Sequence, residues 1–126
     1  MNKGIKRETA VNVNQILGAL TRYHAVGVVV SNAAFVTENG KKLVKAGTPL
    51  AGDLLDRTKP FTVATGANAV GILLHDADVT EGNAGDATLL TGGVVNVDRI
   101  DGTTKAKITA EVVTALKGKV EFIADN

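Results

Sequence analysis

The chain offers few side chains able to do chemistry. His75, Asp76 and Asp78, in the run HDAD, form its one cluster of an imidazole with carboxylates. Such a trio can hold a divalent metal or move protons. The spacing argues against both. On a strand His75 and Asp76 point to opposite faces while Asp76 and Asp78 share one, so a ligand set needs a third contributor that the sequence does not announce. Asp76, Asp78, Thr80 and Gly82 offer oxygen donors in the order of a calcium loop. The glycine comes one position late, however, and no glutamate closes a twelve-residue loop.

Nucleophilic catalysis fares no better. Ser31 is the only serine and His24 and His75 the only histidines, and no nucleophile-elbow motif surrounds Ser31. Gly82-Asn83-Ala84-Gly85 lacks the lysine of a phosphate loop, and Gly92-Gly93 interrupts a strand pattern, where it reads as a bulge or corner. Lys45 sits inside a strand pattern, away from the hairpin tip that a biotinyl or lipoyl carrier needs. The residues therefore point to no enzyme, no cofactor and no metal. The alternative to be tested is a small ligand-binding or enzymatic domain that uses His75 and Asp76.

With 126 residues and no cysteine, the chain is long enough for one domain with its own core and has neither a disulfide framework nor a thiolate metal site. Four aromatics, Tyr23, Phe35, Phe61 and Phe122, leave that core to Val, Leu, Ile and Ala and provide little for bases to stack on. The net charge of +1 gives no strong basic face, so nucleic acid is not an expected partner. Charge is unevenly spread. Residues 1–25 carry Lys3, Lys6, Arg7 and Arg22 against Glu8, a net +3, which leaves −2 for the remainder. No apolar run approaches the ~20 residues of a membrane span, and polar residues break the only candidate leader, so no membrane is expected either.

The elements that must position these residues are short and β-rich. Residues 1–10 have no apolar period and nothing to bury. Val11 and Val13 alternate with Asn12 and Asn14, as in a strand that lacks a partner; a short helix over residues 13–23 with Ile16, Leu17 and Leu20 inward fits as well. Residues 25–32 (AVGVVVSN) form an uncharged β run that needs a cover, either within the domain or from another subunit. Asn39-Gly40 marks a hairpin between residues 33–37 and 42–45. Gly47 and Pro49 predict a strand that bends sharply and restarts. Residues 53–59 predict one helical turn before Pro60, followed by a short strand from Phe61. Val70, Ile72 and Leu74 alternate as in a strand with one face in a core, and residues 89–97 form its antiparallel partner across a loop at 78–86. Thr109, Glu111, Lys117 and Gly118 bracket one helix, with Val112, Val113 and Leu116 in its apolar stripe, and residues 120–123 read as a closing strand.

Residues 42–99 resemble the head decoration proteins of tailed bacteriophages, the lambda-type capsid-stabilising family. The matching features are Gly47-Thr48-Pro49-Leu50, then Ala69-Val70-Gly71-Ile72-Leu73 after a small-residue loop, then the strand from Thr88 to Val97 with its Asp98-Arg99 exit. The resemblance implies a β-clip-like fold with an extended N-terminal arm, and with the C-terminal helix read from residues 109–118, in which this chain departs from the family, the expected fold is mainly β (α+β). It divides the chain into an arm at 1–25 and a decoration domain at 26–126. It further implies a homotrimer that binds the phage major capsid protein on the outer surface of the expanded virion shell, after synthesis in the host cytoplasm. Lys3, Lys6, Arg7, Val11, Val13 and Ile16 are then the expected capsid-binding arm, and Val28, Val29, Val30, Pro49 and Leu50 the expected trimer interface. An arm of alternating valines suits β-augmentation of a neighbour's sheet edge, and three arms per trimer would make attachment multivalent.

Overall fold

The computed structural model describes residues 16–17, 23–32 and 34–125. The arm residues Lys3, Lys6, Arg7, Val11 and Val13 lie outside that set. The described chain is mainly β. Its strands in order are β1 (His24–Ser31), β2 (Val36–Glu38), β3 (Lys41–Val44), β4 (Pro49–Ala51), β5 (Thr62–Val63), β6 (Gly71–Leu73), β7 (Ala77–Asp78), β8 (Ala84–Asn96) and β9 (Val120–Ile123). A 3-10 turn at Val97–Arg99 and two short helices, α1 (Gly102–Lys105) and α2 (Ala110–Ala115), lie between β8 and β9. Only α2 was expected there; α1 is additional, capped by Asp101, whose carboxylate accepts from Thr104 N.

The main sheet runs β1-β8-β6-β4-β5, all antiparallel, with β9 added parallel to the far end of β8. It also closes on itself. Phe61, just before β5, bridges to Val30 of β1: Phe61 N donates to Val29 O at 2.7 Å and Ser31 N to Phe61 O at 2.9 Å. A smaller sheet, β2-β3-β7, packs beside this rolled one.

Local chemistry explains the corners. Asn39 (φ 52°) and Gly40 (φ 79°) form the tight turn between β2 and β3 that their sequence predicts. At the corner before β4, Gly47 has φ 98°, its N–H donates to Leu73 O at 2.7 Å, and Leu73 N returns a bond to Thr48 O at 2.8 Å. On β8, His24 faces Gly92 while Ala25 faces Leu90, so Thr91 is the extra residue of a bulge. There β8 leaves β1, and from Gly93 onward it pairs with β9.

The closed sheet separates two cores. Val28 and Val30 of β1, Leu50 of β4, Phe61, Leu73 of β6 and Leu89 of β8 fill its interior, with Val44, Ala77 and Val79 alongside. The outer layer, Ile72, Leu90, Val95, Val112, Leu116 and Val120, packs against Ile16 and Leu17. Adjacent residues thus serve different cores: Ile72 and Leu73 on β6, Leu89 and Leu90 on β8. The one-sided strand expected from Val70, Ile72 and Leu74 is in fact buried on both faces. Likewise β8 begins at Ala84, which shortens the expected loop, because its first residues pair with β1 from Ala84 opposite Ser31.

Two further expectations change. Val28, Val30, Pro49 and Leu50, anticipated at a subunit interface, are buried within this single chain, because the rolled sheet itself covers the uncharged run. Val29 alone of the set turns outward, half-buried opposite Asp86. Ile16 and Leu17, placed by sequence in the arm, are 1% and 2% exposed. Leu17 forms an antiparallel bridge to Val95, Asn96 N donates to Ile16 O at 2.8 Å, and Arg99 Nη1 donates to Leu17 O at 2.8 Å. Ile16 is thus part of the body, and the body begins before residue 26.

Candidate functional site

The HDAD cluster is a structural joint. Asp76 Oδ1 accepts from Ala46 N at 2.7 Å and its Oδ2 from Lys45 Nζ at 3.1 Å, so both oxygens brace the corner between β3 and β4. Lys45 also donates to Glu38 Oε1 and Oε2 at 3.1 and 3.2 Å, tying the β2–β3 hairpin to the same point. Burial works to lower the Lys45 pKa, but the hydrogen bonds to Asp76 and Glu38 outweigh it and hold the value above that of an ordinary lysine. Asp78 turns instead to Thr80, accepting from its N at 2.9 Å and from its hydroxyl. The Thr80 hydroxyl, with the Thr80 N–H, keeps the Asp78 carboxyl below its usual range. The two carboxylates therefore serve separate turns. Among the described residues, no group of three His, Cys, Asp or Glu side chains gathers to hold a metal ion.

Ser31 and His24 occupy the two ends of β1, about 23 Å apart at strand rise, so they form no dyad. Among the described residues no helix is long and apolar enough to cross a membrane.

The C-terminal end is clasped in the same way. Asp98 accepts from Lys105 Nζ at 2.9 Å and from Asp125 N at 2.8 Å, while Asn96 Nδ2 donates to Asp125 Oδ1 at 2.8 Å. The Lys105 hydrogen bond, helped by the Asp125 N–H, lowers the Asp98 pKa. Thr109 caps α2 through Val112 N, as its sequence predicts; Val112 is buried there, but Val113, counted in the same stripe, stands 42% exposed.

The body also leaves apolar side chains exposed. Leu55 is 97% exposed at the tip of the β4–β5 loop, with Leu54 beside it. Residues 53–59 are two consecutive turns rather than the expected helical turn, because Asp53 and Asp56 each accept from the backbone N–H two residues on. The pattern Asp-x-x-Asp before Pro60 was the available signal. An open groove of about 950 Å³ lies between the β8–β9 pair and the end of α2, with His24, Val94, Val113, Lys117, Lys119 and Phe122 among its walls. Phe35 and Val36 stand exposed on the β2 hairpin, with Lys42 Nζ 5.1 Å from the Phe35 ring centre. Sequence reasoning named none of these surfaces as sites. Set against known proteins, the chain matches no family model, and no curated protein matches it significantly in sequence.

Proposed function

We propose that this chain is a structural virion protein: a trimeric decoration protein that binds the outer surface of an expanded phage capsid and stabilises it against internal DNA pressure. One observation supports this reading most directly. The three segments that resemble the lambda-type family, the Gly47–Leu50 corner, the Ala69–Leu73 run and the Thr88–Val97 strand, lie side by side as β4, β6 and β8 of one sheet. The resemblance therefore falls on neighbouring parts of the fold's central layer.

The mechanism is mechanical. Leu17 is pinned to Val95, so the basic segment before Ile16 is tethered to a folded body. Attached to coat protein by strand addition, three such segments per trimer would act together, and a protein that binds only the expanded lattice stabilises that lattice by mass action. No catalytic step is needed. The engagement of both Asp76 oxygens within the body favours this reading over a ligand site at His75 and Asp76.

The test is to mix purified protein with expanded and unexpanded capsids of the phage that encodes it and to image the three-fold and quasi-three-fold sites. Full-length protein should occupy expanded shells only, and a variant lacking residues 1–15 should stay folded and fail to bind. Equal binding by that variant, or no binding of the full chain to expanded shells, would refute the proposal.

A further inference from the structure

The β4–β5 loop holds an apolar knob out to solvent. Leu55 N donates to Asp53 Oδ1 at 2.8 Å, Asp56 N to Asp53 O at 3.0 Å, and Arg57 Nη1 to Gly27 O on β1 at 2.9 Å. Its turns are thus internally bonded and tied back to the barrel wall, leaving Leu54 and Leu55 flanked by the carboxylates of Asp53 and Asp56. At 97% exposure on a hydrogen-bonded turn, the Leu55 side chain is free to make an apolar contact outside its own chain.

The β8–β9 groove has the size and the charge to receive it. Val94, Val113 and Phe122 give it apolar walls, and its volume of about 950 Å³ has room for two leucine side chains. Lys117 and Lys119 line it and join no ion pair among the described residues, whereas Glu121 contributes one opposing charge. On the knob, Arg57 is turned back onto β1 and Lys59 lies 3.7 Å from Asp56, so Asp53 is the carboxylate with no cation against it among the described residues.

We propose that the Leu54-Leu55 knob of one copy docks into the β8–β9 groove of the next, with Asp53 and Asp56 facing Lys117 and Lys119. This rests on the trimeric reading above and assigns its interface. Knob and groove share no residue, so the contact is head-to-tail, and a ring of three closes it.

Because Leu55 is solvent-exposed and the chain has no cysteine, the test leaves folding untouched. Native mass spectrometry should give three times the 13.0 kDa chain mass for the wild type and a single chain mass for Leu55→Asp and for Lys117→Glu with Lys119→Glu, at unchanged thermal midpoints. Thr114 also lines the groove, so a chain carrying both Leu55→Cys and Thr114→Cys should oxidise to a covalent trimer. A wild-type trimer that Leu55→Asp leaves intact, with no cross-link in the cysteine variant, overturns the docking and spares the trimer. So does a Leu55→Asp trimer that has lost only capsid binding, since the knob then faces coat protein. A wild type that is monomeric at every concentration overturns both.

Discussion

Deleting residues 1–20 removes more than an arm, and comparison with a shorter deletion measures how much more. Ile16 and Leu17 are 1% and 2% exposed in the outer core. Truncating a buried leucine or isoleucine to alanine costs about 2–5 kcal/mol each through lost transfer energy and the cavity left behind. The two side chains share one cluster, so their costs do not simply add. Removing the residues altogether also frees the chain from ordering them, which returns about 1–2 kcal/mol per residue. Taken at mid-range, two truncations at about 3.5 kcal/mol each less two residues at about 1.5 kcal/mol each leave a net loss of about 4 kcal/mol between the 1–15 and 1–20 deletions, a large fraction of a domain stability of about 5–15 kcal/mol. At ~4 °C per kcal/mol for a domain of this size, the longer deletion should melt at least ~8 °C below the shorter one. Leu17→Ala in the full chain should destabilise by about 2–5 kcal/mol without any change in the backbone. Urea and thermal unfolding read both numbers. Two deletions melting within ~2 °C of each other would refute the placement of Ile16 and Leu17 in the core.

Gly47→Ala should destabilise by about 1–3 kcal/mol, because the left-handed backbone disfavours any side chain and the new Cβ would stand 2.6–2.9 Å from Ile100 carbons; a thermal midpoint equal to wild type would contradict that corner geometry. Asp98 has a lowered folded-state pKa, so its contribution is present above the ordinary carboxylate value and lost as pH falls through the lowered one. Stability measured below about pH 4 should therefore fall less steeply in Asp98→Asn than in wild type, and parallel profiles would show that the Lys105 and Asp125 bonds carry no such linkage.

Most of what sequence made legible was local. Asn39-Gly40, Gly47 with Pro49, the Thr109 cap and the Gly92-Gly93 irregularity are each decided by backbone preferences within a few residues, and each lies where its residue types require. What was not legible depends on contacts made far along the chain. Period-two reasoning assigns a strand one buried face, yet Ile72 and Leu73 serve different cores because α2 and β9 cover the outside of the sheet that Phe61 closes. No pattern near residue 30 announces that residue 61 will bridge to it. The pairing of Leu17 with Val95 spans the chain in the same way, and nothing near residue 17 announces it; the strand pattern of Val11 and Val13 lies outside the described residues. At the HDAD cluster, spacing was enough to separate Asp76 from Asp78, but not to show that Lys45 and the Ala46 N–H occupy Asp76.

The burial of the uncharged run also moves the weight of the functional reading. The uncharged run 25–32 needs a cover that either the domain or another subunit can give. Val28 and Val30 are covered by Leu50, Phe61 and Leu89 of the same chain, so that need is met without a partner. An interface must instead be argued from surface that folding leaves apolar, and there Leu55 stands apart from Phe35, Val36, Val113 and Ile123, which are all less than half exposed. Surface leucines scattered singly need no explanation. Leu55, on a turn fixed by two aspartates and an Arg57 bond to β1, is the most exposed large apolar side chain among the described residues. The proposed assembly therefore rests on the Leu55 tip, which folding leaves exposed, rather than on the valine run of β1, which folding covers.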